Sequence, residues 1–91
     1  DGMGLAMATL REMPLNGMRY LTGEGSSGWY IWGGDHKEET ADFFTAIQVQ
    51  DIDDYIPNIR PLLDLPPGFR FRIDKGGGRP KAWFDGSLLD V

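Results

Sequence analysis

Few side chains in this sequence can do chemistry, and their spacing decides their use. His36 is the only histidine, in a polar stretch with Asp35, Glu38 and Glu39. An imidazole among carboxylates can ligate a metal or form half of an acid/base pair. With no second ligand at a suitable spacing, His36 reads instead as an exposed loop residue. Asp51-Ile52-Asp53-Asp54 opens like a calcium loop. That loop requires glycine at its sixth position and glutamate at its twelfth, and here those positions are Ile56 and Leu62. The aspartates read as helix capping. Gly23-Glu24-Gly25-Ser26-Ser27-Gly28 matches G-x-G-x-x-G, but a dinucleotide fingerprint needs a helix next, and an aromatic strand follows. The kinase version fails too, because the strand lysine and catalytic-loop signatures are absent. Ser26, Ser27 and Ser87 carry no nucleophile signature, and there is no cysteine to supply a thiolate.

A second group is basic. Arg70, Arg72, Lys75, Arg79 and Lys81 interleave with Phe69, Phe71 and Trp83. Such a mixture can hold single-stranded nucleic acid by phosphate contact and base stacking. The alternation of Phe69, Phe71 and Ile73 with Arg70, Arg72 and Asp74 describes a half-buried strand instead, with its aromatics in the core.

The element that must organise these groups is Gly28-Trp29-Tyr30-Ile31-Trp32-Gly33. Large β-favouring residues between glycines predict a central strand, with Tyr30 and Trp32 on one face and Trp29 and Ile31 on the other. Bulk on both faces predicts cover on both sides. Leu5 to Leu10 reads as a first strand, Asn16-Gly17 as a hairpin turn, and Met18 to Leu21 as a second strand. With the aromatic strand these predict an antiparallel meander. His36 to Phe44 reads as a loop or a single helical turn, and Ala46 to Val49 as extended. Asp51 reads as a helix N-cap, with Asp53 and Asp54 in the first turn. Ile52, Tyr55, Ile56, Ile59, Leu62 and Leu63 give a buried stripe over two short helices that meet near Pro57. Residues 69–74 form a strand, Gly76 to Pro80 a turn, and Lys81 to Phe84 the returning strand, with Trp83 turned to the core.

The 91 residues suit one domain, expected to span residues 1–91. The net charge of −5 is unevenly placed. Residues 35–54 hold seven carboxylates against Lys37 alone, whereas residues 60–81 hold six cations against Asp64 and Asp74. The acidic centre argues against general nucleic-acid binding and suits a basic protein partner. No apolar run approaches the ~20 residues of a membrane span, and no leader is visible, so a cytoplasmic location is expected.

The run Ser27-Gly28-Trp29-Tyr30-Ile31-Trp32-Gly33-Gly34-Asp35 resembles the S-G-W-R-[FI]-[FW]-x-G-D signature of a small bacterial family grouped with the immunity proteins of polymorphic toxin systems. Tyr30 stands where that signature has arginine. Val49-Gln50-Asp51-Ile52, Pro57-Asn58-Ile59-Arg60-Pro61-Leu62-Leu63 and Pro67-Gly68-x-x-Phe71 look like its later segments, so the likeness runs over about residues 9–74. The resemblance implies a toxin-neutralising binder without catalysis, cofactor or metal, and supplies no binding residues. Charge and exposure nominate Asp35, His36, Glu38, Glu39, Asp42, Asp51, Asp53 and Asp54 as the partner-binding set. The expected fold is α+β, a small, mainly antiparallel sheet carrying one or two short helices. A second functional reading is a regulatory or accessory protein-interaction domain of a larger bacterial protein.

Overall fold

A computed structural model describes residues 1–35, 41–76 and 78–90. Six strands form one sheet: β1 (Gly2–Leu5), β2 (Leu15–Arg19), β3 (Ser26–Gly33), β4 (Thr45–Gln48), β5 (Phe69–Ile73) and β6 (Lys81–Phe84). Their order across the sheet is β4-β1-β3-β2-β5-β6. Only β1 and β3 run parallel; the other neighbours are antiparallel. The aromatic run is the central strand, as its composition predicts. Trp29 and Ile31 enter one core with Met3, Leu5, Leu15, Ile52, Ile59, Leu63 and Phe71. Trp32 enters the opposite core with Ala6, Met18 and Leu88, against which Tyr20, Phe43 and Phe44 pack.

Asn16-Gly17 is not a turn. Both residues lie inside β2, opposite Trp32 and Ile31 on one side and Arg72 and Phe71 on the other. A Cβ on Gly17 would run into the Phe71 ring, so this glycine makes room for a core aromatic. The Asn16 amide donates to the carbonyls of Pro14 (3.2 Å) and Gly34 (2.7 Å), tying the strand ends. The first strand is also earlier than expected. Residues 7–9 are a 3-10 turn, η1 (Met7–Thr9), closed by Thr9 N–H to the Ala6 carbonyl (3.1 Å). Alternation of Met with Ala there does not mark a buried face, and Met7 is exposed. The three first strands are consequently not a meander: β3 lies between β1 and β2.

The register of β1 against β3 shifts between Gly2 and Gly4. Two serines stitch this bulge. The Ser27 hydroxyl donates to the Gly2 carbonyl (2.9 Å) and accepts from Trp29 N–H (3.2 Å), while the Ser26 hydroxyl accepts from Gly28 N–H (3.2 Å). Gly28 has φ +83° and abuts the Tyr20 carbonyl, which explains the glycine.

All helical segments among the described residues are short 3-10 turns: η1, η2 (Ala41–Phe43), η3 (Val49–Asp54), η4 (Arg60–Asp64) and η5 (Gly86–Leu89). Pro57, Pro61, Pro66 and Pro67 remove amide donors every few residues, so no helix between 49 and 65 reaches the length at which an α-helix propagates. Asp51 is not the N-cap. Gln48 holds that position without a side-chain cap, and Asp51 lies in the first turn. Tyr55 leaves the predicted stripe, because η3 ends before it; it is 43% exposed. Ile52, Ile59 and Leu63 are buried as the spacing predicts. Arg19 locks η4 to the sheet. Its Nε donates to the Ser27 carbonyl (2.8 Å), its Nη1 to the Leu65 carbonyl (2.6 Å), and its guanidinium lies 5.8 Å from the Trp29 ring centre.

Candidate functional site

The structure regroups the acidic residues. Asp35 follows β3 at its Gly33 end, whereas Asp51, Asp53 and Asp54 follow β4 at its Gln48 end, which lies beside Gly2 and the start of β3. Eight residues of β3 separate these ends, roughly 23 Å at the usual rise. The Asp35 and Asp51–Asp54 groups therefore do not form one patch. Asp35 is 81% exposed and faces the arginine strand, with Oδ1 3.9 Å from Arg72 Nη2. Asp42 does not join the 51–54 group either: it stands at the other, Thr45 end of β4, beside Leu5 and Ile31. It lies in η2, three residues before Thr45, so carboxylates stand at both ends of β4, itself about 10 Å long. Asp53 is engaged by Arg60, whose Nη2 lies 3.0 Å from its Oδ2. His36, Glu38 and Glu39 lie outside the described residues.

β4 is an edge strand, and the surface around it is concave. On one side a groove of about 480 Å³ is lined by Gly2, Gly4, Ser26, Tyr30, Phe44 and Ala46. Its floor is backbone and one methyl group, since Gly2, Gly4 and Ala46 carry almost no side chain. A Cβ on Gly4 would press into the Tyr30 ring. The wall is a chain of edge-to-face aromatics: Tyr20 against Tyr30 (5.6 Å between ring centres), Tyr30 against Phe44 (5.1 Å) and Phe44 against Phe43 (4.9 Å). All four rings are half-buried. Beyond the edge, a second hollow of about 350 Å³ is lined by Ala46, Ile47, Gln48, Asp51 and Tyr55. Partly exposed aromatics of this kind are enriched at protein interfaces. The sequence concealed this groove, because Tyr30 read as part of a strand covered on both sides and Phe44 as the end of a loop or helical turn. The one available signal was the small-residue spacing Gly2, Gly4, Ala6.

The basic strand is arranged differently. Antiparallel pairing puts Arg70 opposite Trp83 and Arg72 opposite Lys81, all on one face. Trp83 therefore does not turn to the core. It is 42% exposed and lies 5.8 Å from the Arg70 guanidinium; Phe71 and Ala82 take the core-facing register. The cations here are paired internally: Arg70 with Asp85 (3.1 Å), Arg72 with Asp74 (2.7 Å) and Lys81 with Asp74 (3.2 Å). Hydrogen bonds from Arg72 and Lys81 hold the Asp74 carboxyl below the usual range, and the bond that Arg72 donates to Asp74 raises Arg72 in turn. Asp85 is lowered first by the Ser87 hydroxyl and then by Arg70. Arg70, Arg72 and Lys81 each have a carboxylate partner, whereas among the described residues Asp42, Asp51 and Asp54 form no ion pair.

Among the described residues, no group of three or more His, Cys, Asp or Glu could hold a metal ion. Nor is any helix there long and apolar enough to cross a membrane. The model of the Imm33-like domain matches residues 1–85, further in both directions than the run from 9 to 74. The chain belongs to the Imm33-like family. No curated protein and no solved structure matches it. Residues 1–85 include all six strands and both hollows beside β4, so the whole sheet of this Imm33-like domain lies within the matched region.

Proposed function

We propose that this Imm33-like domain is a non-catalytic binding protein that neutralises a cognate bacterial toxin by direct contact. The observation that carries this reading is the concave β4 surface, where half-buried aromatics meet carboxylates that form no ion pair among the described residues, in a chain of an immunity-like family. The Asp42 and Asp51–Asp54 carboxylates suit a basic partner and would speed encounter with it. Asp35 is exposed and, with His36, Glu38 and Glu39 next in the sequence, makes a second acidic stretch. The test is co-expression with the products of the genes adjacent to its own, each first scored for toxicity. Restored growth and a stable complex on gel filtration support the proposal; toxicity unaffected by co-expression refutes it. Growth restored without a complex would point to enzymatic inactivation of the toxin and refute the binding mechanism.

A further inference from the structure

We infer that the partner adds an extended segment to β4, pairing backbone to backbone, and that this segment alternates apolar and basic residues. The inference deepens the proposed function and rests on it for the partner's identity. The direction of the backbone groups comes from three hydrogen bonds. Gly2 N–H donates to the Gly25 carbonyl and Ala6 N–H to the Ile31 carbonyl, so even-numbered residues of β1 turn toward β3. Val49 N–H donates to the Asp1 carbonyl, so the odd-numbered ones turn toward β4. With Met3 opposite Ile47 and Leu5 opposite Thr45, these pairs exchange the ladder bonds. The N–H and C=O of Ala46 and the N–H of Gln48 then point outward, and no described strand pairs with them; the Gln48 carbonyl, at the N-cap of η3, belongs to that turn.

Natural sheets blunt such an edge with lysine, proline or a bulge. The opposite edge does so: Pro80 immediately precedes β6, and Lys81 opens it. Thr45-Ala46-Ile47-Gln48 has no charge, no proline and no bulge against β1. Strand addition takes affinity from the main chain and specificity from pockets for alternate side chains. β4 has a hollow on each side. The groove of Gly2, Gly4, Tyr30 and Phe44 suits an aliphatic side chain, and the hollow of Asp51 and Tyr55 suits a cationic one. Asp42 adds a second negative charge at the Thr45 end.

The probe is a short synthetic peptide of alternating valine and lysine, with a valine–glutamate peptide as control, added to the purified protein and read by amide hydrogen exchange. The basic peptide is expected to slow exchange at the Ala46 and Gln48 amides; the acidic one is not. Gln48 has φ −87°, near the value a proline ring imposes, so Gln48→Pro deletes an outward donor without touching the β1 ladder. It should weaken peptide binding about tenfold, while Gln48→Ala, which keeps the amide, should not. No protection at these two amides, protection at the Lys81–Phe84 edge instead, or equal binding by Gln48→Pro would overturn strand addition. In the co-expression assay, full protection by Gln48→Pro would overturn strand addition and leave the immunity reading standing. Failure of the wild type to protect would overturn the immunity reading, and the exchange pattern would still decide the edge.

Discussion

Trp29→Ala is expected to remove much of the domain's stability. Trp29 is 1% exposed, lies 5.4 Å from Phe71 between ring centres, and supports the Arg19 guanidinium. Its indole N–H donates to the Leu63 carbonyl (3.1 Å), which fastens η4 over the sheet. A tryptophan buries about 150–250 Å², worth about 4–6 kcal/mol at ~25 cal/mol per Å². Truncations of buried aromatics measure about 3–5 kcal/mol, and we expect that range. Trp29→Phe keeps most of the packing. It loses one hydrogen bond to a carbonyl that Arg19 Nη1 still reaches at 3.4 Å, so the loss should be about 1–2 kcal/mol. The assay is urea unfolding followed by circular dichroism, with thermal melts alongside; for a domain of this size Trp29→Ala should lower the Tm by more than about 12 °C. A loss below about 1 kcal/mol for Trp29→Ala would refute the claim that β3 is the structural centre.

Three further outcomes are expected. Gly17→Val should destabilise strongly by driving a side chain into the Phe71 ring, and Phe71→Leu should recover part of that loss; strictly additive effects in a double-mutant cycle would count against the contact. The carboxyls of Asp74 and Asp85 have folded-state pKa values below their unfolded ones, so their contribution is present above the unfolded carboxylate pKa and is lost as pH falls through the folded values. Acid unfolding should therefore be less steep in Asp74→Asn and Asp85→Asn, and curves identical to wild type would remove that account. Charge reversal at Glu38 and Glu39, or at Asp42 and Asp51, should slow association with a basic partner more at low salt than at high salt, and reversal at the exposed Asp42 and Asp51 should leave the melting point unchanged, because exposed charges add little stability; stopped-flow kinetics at two ionic strengths provide the check.

The parts of the fold that depend on local alternation were legible. Trp29 to Trp32 and Phe69 to Ile73 have the period of two, and each strand forms where that period predicts. What failed was long-range. Asn16-Gly17 has the composition of a turn, but the Phe71 ring, more than fifty residues away in sequence, needs a glycine beneath it. Leu5 to Leu10 alternates in size, yet only its start pairs, because β1 finds β3 rather than β2. Trp83 looked like core, and a shift of one residue in strand phase puts it on the arginine face. The site failed for a related reason. Charge counting joined residues 35–42 to 51–54, because proximity in sequence resembles proximity in space. The direction of β3 and β4 separates Asp35 from the later aspartates, and β4, a strand that carries no charge, separates Asp42 from them.

The most direct test of the binding account is an isothermal titration of the purified protein with the toxic product of an adjacent gene, identified by its effect on growth. The wild type should give a one-to-one complex with a Kd tighter than about 1 μM, and reversal of Asp42 and Asp51 together should weaken it by at least about tenfold. Absence of binding, or the same affinity in the reversed variant, would contradict an acidic β4 surface as the means of neutralisation.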